Sequence, residues 1–356
     1  MGEKKEIRAA FVKSGGGVEL RTVSTPIVED GSILISMKAS GVCGTDLEKL
    51  TGQSITSTIL GHEVSGIVIE SRANNFEQGD RVIPHHHVSC NECELCLRGA
   101  QTMCQKYKNS NFTPGGFADE FLLPAYNVKN GGIYKISESL SFEEASFAEP
   151  LGCCIRGLSH AGVVSDGGKS RKQLRNALVV GAGPIGLLHM ELLRSTFPDL
   201  KLSTVDMIGS RLEFAEKNEI ANIVDAGKIE NGAFSESCNN LVGPLGYDLV
   251  IVATGSEKAF RESIKCVRKS GTLLLFGVPH KGATHSLDLA KLLLDELTIT
   301  SSYATSETEL RQAIELLEHR IINVKKFITS TYPLEKVDEA MSAARSENQV
   351  KVLVMG

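Results

Sequence analysis

The sequence predicts an α/β protein in two parts, a β-rich part and a doubly wound parallel sheet inserted within it. Three observations carry this. Residues 1–150 hold short apolar segments punctuated by Gly, Asp and Pro, with little helical periodicity. From about residue 176, apolar strand candidates alternate with helix candidates, the pattern of βαβ units. After Thr298–Tyr303 the alternation weakens, and the remaining tail is short for an independent core, so it is expected to return to the first part. At 356 residues the chain is long enough for two cores. The expected division is 1–153 with 300–356 against 154–299.

In order, the strand candidates of the first part are Ser32–Ala39, Val64–Glu70, Arg81–Pro84 and Phe117–Leu123. The polar, Gly-containing stretch SDGGKSRKQ at 165–173 reads as a surface loop. Strand Asn176–Val180, helix Ile185–Leu193, strand Lys201–Val205 and helix Ser210–Lys217 follow. A short run around Ile223, strand Tyr247–Ala253, helix Glu257–Arg268 and strand Thr272–Val278 complete the alternation. Right-handed crossovers between such strands give a doubly wound sheet. The tail offers helices Glu307–Glu318 and Leu334–Ala344 and a last strand, Val350–Val354.

Composition narrows the partners. The chain is 42% apolar and 23% charged, with net charge −5 and no long basic run, which argues against nucleic acid and against anionic membrane surfaces. No run of eighteen apolar residues exists to span a bilayer. The charged start MGEKKEIRAAFVK has no apolar signal core, so a cytoplasmic location is expected. Of nine cysteines, four fall in residues 90–104. Such crowding in a cytosolic chain favours metal ligation over disulfides.

Cys90, Cys93, Cys96 and Cys104 follow C-x2-C-x2-C-x7-C. Four thiolates close a tetrahedral shell around zinc and leave no open position, so this site would be structural. Free surface thiols and a redox dithiol are the other readings. The polar neighbours Asn91, Glu92, Arg98 and Gly99 are unlike packed core. A second set is Cys43 in GVCGTD, His62 and Glu63 in GHEVSG, and Glu149 in FAEPLGCC. Glycines bracket the first three, as tight turns require. Glu149 lies in an apolar run, where a carboxylate needs a charged partner or a metal. Thiolate, imidazole and carboxylate together suit zinc with a position left for substrate. Spread over more than a hundred positions, they form a candidate set and not a spacing motif. His85, His86 and His87 are expected on a strand leading into the four-cysteine segment, where alternating directions keep three neighbours from sharing one metal. His85 or His87 facing a cleft is the alternative.

Gly181-Ala182-Gly183-Pro184-Ile185-Gly186 fits G-x-G-x-x-G, after an apolar strand and at the start of an apolar helix. The first Gly permits the turn, the second admits the pyrophosphate, and the third lets helix pack on strand. The N-terminus of the helix, at Pro184 and Ile185, then meets the negative charge. Asp206 ends the next strand, where a carboxylate takes the ribose hydroxyls and repels a 2′-phosphate, favouring NAD over NADP. Arg211, five residues on, would sit against the adenine or help to tolerate a phosphate.

GVCGTD (41–46), GHE (61–63), the four cysteines, GGFADEFLLPA (115–125), AEP (148–150) and GAGPIG (181–186) occur in an order that resembles the zinc-dependent medium-chain dehydrogenases. These include alcohol, sorbitol, threonine and sugar dehydrogenases, and the resemblance covers nearly the whole chain. It implies a GroES-like catalytic domain, a Rossmann domain inserted in it and an active site in the cleft. It implies two zinc ions per chain, the catalytic one on Cys43 and His62, with Glu63 and Glu149 completing or exchanging in the shell. Glu149 stands where ordinary alcohol dehydrogenases carry Cys, as in the polyol and sugar branch; HHHVSC (85–90) and EPLGCC (149–154) point the same way. Thr45 occupies the position of the hydroxyl beside the substrate oxygen, and Asp46 that of the carboxylate orienting the zinc-bound His. Glu48 replaces the His that many relatives use in the proton relay. Val278 and Ser302, near strand ends, are candidates for the nicotinamide carboxamide.

The implied reaction is oxidation of a secondary alcohol of a polyol, sugar or sugar derivative to a ketone, with hydride passing to NAD. Its partner is a small-molecule substrate, and the family suggests a homodimer or homotetramer, with the strand at Ser301 able to pair across subunits. NADP-linked aldose oxidation and threonine dehydrogenation are the rival activities. A non-catalytic zinc and dinucleotide sensor is the remaining alternative, although every ligand position is filled.

Overall fold

The computed structural model describes residues 5–51, 59–164, 173–229 and 233–356. The chain begins with strands β1 (Glu6–Val12), β2 (Val18–Ser24) and β3 (Ile33–Gly41), helix α1 (Gly44–Lys49), then β4 (Glu63–Ser71) and β5 (Arg81–Pro84). Helix α2 (Glu94–Leu97), β6 (Glu120–Leu123), α3 (Ala125–Lys129), β7 (Ile133–Lys135), α4 (Phe142–Ala145) and α5 (Ala148–His160) follow. Next come β8 (Asn176–Val180), α6 (Pro184–Thr196), β9 (Lys201–Asp206), α7 (Gly209–Lys217), β10 (Asn222–Asp225) and α8 (Phe234–Asn239). Then β11 (Tyr247–Val252), α9 (Glu257–Ser263), β12 (Val267–Leu275), α10 (Leu289–Leu294) and β13 (Thr298–Ser301). The tail is α11 (Glu307–Glu318), β14 (Ile328–Pro333), α12 (Val337–Ala344) and β15 (Lys351–Met355).

Two compact units result, Met1–Gly152 with Thr305–Gly356, and Cys153–Ala304. In the first, a seven-stranded sheet runs β14-β15-β3-β4-β5-β7, with β6 also on β3, and β1 and β2 form a separate hairpin. The tail enters through β15, which pairs antiparallel with β3 at Leu353 and Gly41. Its core gathers Ile33, Ile35, Met37, Val64, Phe112, Phe117 and Phe121 with Val352 and Val354 from the tail.

The second unit is a six-stranded sheet in the order β10-β9-β8-β11-β12-β13, parallel throughout. Counted from β8, that order is 3-2-1-4-5-6, the doubly wound arrangement whose order reverses between the first and fourth strands. Strand β11 is buried at all six positions, as a parallel strand covered on both faces must be.

Several elements differ from the sequence reading. The helix expected over Glu257–Arg268 ends at Ser263, and β12 already starts at Val267. Ser270, with φ of 57°, and Gly271 break β12 midway and conceal its first half from a periodic reading. The sequence reading places no helix over 148–160, where α5 forms. Pro150 sits in its first turn, where the missing N–H is harmless. Leu151, Cys154, Ile155 and Leu158 form its buried stripe. The loop expected at 165–173 lies, except for Gln173, outside the described residues. No helix among the described residues is long and apolar enough to cross a membrane.

Candidate active site

Cys43 caps α1, and Asp46, buried in its first turn, accepts the Cys43 amide at 3.2 Å and the Gly61 amide at 3.2 Å. His62 reaches Asp46 Oδ1 through Nδ1 at 3.5 Å, which leaves Nε2 as the ligand atom. The turn carrying His62 depends on glycine. Gly61 has φ of +78°, and a Cβ there would lie 2.5 Å from the Phe117 nitrogen. Backbone stacks on backbone: Gly116 donates to the Gly61 carbonyl at 3.1 Å. The GHE and GGF motifs are therefore two faces of one contact.

The result is a cluster in which ligand atoms of Cys43, His62 and Glu63 all lie within 4.8 Å of one another. Soft and borderline donors with room for a further ligand fit zinc in an open site. Glu149 lies outside that cluster. It is half-buried in the first turn of α5, and its charge acts on Lys351. Thr45 and Glu48 both sit on α1, half-buried.

The charges around the cluster are tightly coupled. Burial alone would raise the Asp46 carboxyl, but His62, Lys49 and the Gly61 amide together hold it down at about 2. Burial likewise works against a charged His62, and Asp46 and then Cys43 outweigh it, so its pKa is raised. A metal at this site would have to displace the proton that Asp46 and Cys43 favour on His62.

Two basic residues here escaped the sequence reading. Lys49 donates to the Ile59 carbonyl at 2.7 Å and stands 3.5 Å from Asp46. Lys351, on β15 and 3% exposed, is ion-paired with Glu63 and donates to the Val42 carbonyl at 3.1 Å. Its one available signal was a lone Lys inside the apolar run VKVLVM. The histidines also differ from expectation. Strand β5 stops at Pro84, so strand alternation does not apply to them. The His86 ring lies 5.0 Å from that of His62 and 4.1 Å from that of His87.

The four-cysteine segment closes on itself. Sulfur separations are 3.4 Å for Cys93–Cys96, 3.5 Å for Cys90–Cys104 and 3.9 Å for Cys90–Cys96. Sulfurs about 2.3 Å from a tetrahedral zinc stand roughly 3.8 Å apart, so the residues fit the ion. The Glu92 amide pulls the Cys90 thiol down to about 6, while burial pushes the Cys96 thiol up to about 12, so in the absence of an ion the charge gathers on one sulfur of the four. Glu307, opening α11, accepts the Ser89 amide at 2.7 Å and anchors the segment's start.

In the second unit Gly181, Gly183 and Gly186 lie between β8 and the first turn of α6, with Pro184 and Ile185 opening the helix. A Cβ at Gly186 would strike the Gly181 carbonyl oxygen, so no other residue keeps this turn. Asp206 ends β9 and holds the turn, accepting the Ala182 amide at 2.7 Å and that of Ile208 at 2.9 Å. The Arg211 guanidinium lies beside Gly183, 3.6 Å from where a Cβ would project. Ser302 directly follows β13, whereas Val278, 60% exposed, stands three residues beyond β12.

Comparison with known proteins agrees. The family described as "Alcohol dehydrogenase GroES-like domain" matches residues 29–132, and "Zinc-binding dehydrogenase" matches residues 184–319. D-arabinitol dehydrogenase 1 of Uromyces fabae is 30% identical over 356 residues, covering 98% of this chain and 97% of that protein. D-xylulose reductase A of Aspergillus oryzae is 27% identical over 337 residues, covering 91% and 89%. Among solved structures, a zinc-binding dehydrogenase from Sinorhizobium meliloti 1021 bound to NADP is 25% identical, with a TM-score of 0.84 over 99% of this chain and 100% of that one. Matched along its whole length in this way, the chain belongs to the zinc-dependent medium-chain dehydrogenase/reductase family.

Proposed function

We propose that the protein oxidises a secondary alcohol of a polyol, sugar or sugar derivative to a ketone, passing hydride to NAD. The observation that carries this is the convergence of Cys43, His62 and Glu63 in a chain that also carries a glycine-rich turn at the reversal of a doubly wound sheet. The polyol class is supported by the named activities of the D-arabinitol and D-xylulose relatives. Residues 1–153 and 300–356 are assigned to the catalytic part and 154–299 to the cofactor-binding part.

When bound, zinc supplies Lewis acidity toward the substrate hydroxyl, and the nicotinamide supplies the hydride acceptor. Cys43, His62 and Glu63 are the residues that hold the metal, with Glu149 as an exchanging carboxylate. Asp46 fixes the His62 ring. Thr45 Oγ1 takes the proton of the substrate hydroxyl and passes its own on through the ribose or water, and Glu48, on the same helix, stands where many relatives carry the relay His. Cys90, Cys93, Cys96 and Cys104 hold the second zinc. Gly181, Gly183, Gly186 and the start of α6 receive the pyrophosphate, Asp206 the ribose hydroxyls and Arg211 the adenine face. Val278 and Ser302 are assigned to the carboxamide. Asp206 supports NAD over NADP, while the NADP of the Sinorhizobium relative makes NADP the second reading.

Strand β13 ends the six-stranded sheet, and on the neighbouring α10 Leu289, Leu293 and Leu294 are over 70% exposed. An unpaired edge beside exposed leucines supports a homodimer, or a tetramer built from it. The clustered free thiols support a cytoplasmic location.

The test is His62→Ala with a pentitol as substrate. NADH formation should disappear while calorimetry still finds NAD bound. Full turnover in the variant removes the metal role, and no turnover of any polyol, aldose, inositol or simple alcohol by the wild type removes the activity.

A further inference from the structure

Lys49 has no part in the function above. It ends α1, its side chain is 12% exposed, and a cation is costly to bury unless it is paired. Lys49 Nζ donates to the Ile59 carbonyl at 2.7 Å and stands 3.5 Å from Asp46 Oδ1. That same oxygen accepts the Gly61 amide at 3.2 Å and faces His62 Nδ1 at 3.5 Å. Asp46 is fully buried, so its one charge is divided between Lys49 and the ring of His62.

A carboxylate behind a metal-binding imidazole lends its charge to the ring, which raises the basicity of the ligand nitrogen and tightens the metal. Here a second positive charge competes for that carboxylate. The reach of Lys49 extends beyond Asp46: its charge also acts on His86, whose ring lies 5.0 Å from that of His62. A cation so placed works against a metal ion by two routes. It draws charge off Asp46, and it repels the incoming positive charge directly. Lys351 differs, because it is paired with Glu63, itself a member of the cluster, whereas Lys49 acts one residue further out.

We propose that Lys49 is a positioning residue of the metal site that, through Asp46, holds zinc less tightly than Cys43, His62 and Glu63 otherwise would and leaves it a stronger Lewis acid toward the substrate hydroxyl. The second half of this inference rests on the dehydrogenase reading. The first half concerns metal affinity and is measured without turnover. The bond from Lys49 to the Ile59 carbonyl is a separate matter: it ties the chain three residues before His62 to α1, and its loss would displace the ring without changing the charge.

The experiment compares wild type with Lys49→Met, Lys49→Gln and Lys49→Arg. Zinc affinity of the Cys43 site is read by chelator competition, with metal analysis confirming that the four-cysteine site keeps its ion. Loss of the charge should tighten zinc about tenfold in Lys49→Met and Lys49→Gln alike, the scale on which such outer contacts act. Glutamine keeps a donor for Ile59 and arginine keeps the charge, so Lys49→Arg should stay within about twofold of wild type. In an Asp46→Asn background the gain from Lys49→Met should shrink to about threefold or less, since only direct repulsion is then relieved. Single-turnover hydride transfer from a pentitol to NAD should slow about tenfold in the methionine and glutamine variants. Unchanged or weaker zinc binding in both of those variants overturns the proposal. So does glutamine matching wild type while methionine departs, because the donor and not the charge would then matter. An undiminished gain beside Asp46→Asn overturns the route through Asp46. If Lys49→Met fails to fold, the glutamine and arginine variants decide. Tighter zinc with unchanged hydride transfer overturns the second half alone. Should zinc tighten as expected while even the wild type oxidises no alcohol, the dehydrogenase reading falls and the effect on the metal stands.

Discussion

Replacing Lys351 by methionine keeps a long apolar stem and deletes one charge from the heart of the metal site. Lys351 is 3% exposed and its partner Glu63 1% exposed. Gly41 makes room for the pair, since a Cβ there would strike both Glu63 Oε2 and Lys351 Cε. Burial alone would lower the Lys351 pKa, but Glu63 and then Cys43 outweigh it and raise it. A raised pKa means stability fully present below the unfolded value of 10.5 and lost only as pH rises through the folded value, so at pH 7 the pair contributes in full. Removing one partner of a buried pair costs about 3–5 kcal/mol, because the other charge is left uncompensated. The orphaned Val42 carbonyl adds to that. Metal-free Lys351→Met should therefore lose about 3–5 kcal/mol of protection at the amides of β3 and β15, read by native-state hydrogen exchange. Zinc brings a cation to Glu63, so it should restore more stability to the variant than to the wild type. Adding Glu63→Gln should soften the loss, since no buried charge then remains. Metal-free Lys351→Met within about 1 kcal/mol of wild type would refute the pairing argument.

Other perturbations reach other parts of the molecule. His189 is buried in α6, and burial pushes its pKa down to about 4. Its stability contribution is present above the unfolded value of 6.5 and is lost as pH falls toward 4, on the order of 3 kcal/mol. His189→Leu should accordingly flatten the fall in urea midpoint between pH 7 and pH 4.5, and an unchanged slope would count against the assignment. Gly186→Ala should abolish dinucleotide binding in calorimetry, because its methyl meets the Gly181 carbonyl; wild-type affinity would show that the turn can relax. Cys104→Ser should reduce bound zinc from two equivalents to one, measured by metal analysis, with the Cys43 site still filled. Asp206→Ala should narrow the preference for NAD over NADP, checked by the ratio of their kcat/KM values.

Much was legible in the residues themselves. A local spacing specifies a local geometry, so C-x2-C-x2-C-x7-C predicts a closed sulfur shell, and the four sulfurs lie within 4.8 Å of one another. The glycine-rich turn was equally readable, since one strand, one turn and one helix build it. Strands with regular periodicity were found near their true ends, while β12, broken at Ser270, was not.

By itself, then, the order of residues determined the two-part α/β architecture, the sulfur shell, the glycine-rich turn and the donor types of the Cys43–His62–Glu63 cluster. Tertiary structure alone decided that Lys351 neutralises Glu63 and that the His86 ring lies beside that of His62. Those contacts join residues up to some three hundred positions apart, and no periodicity carries information over that distance. They exist because β15 pairs with β3 and because Gly61 and Gly116 let two backbones touch, events that long-range packing selects and local pattern does not encode.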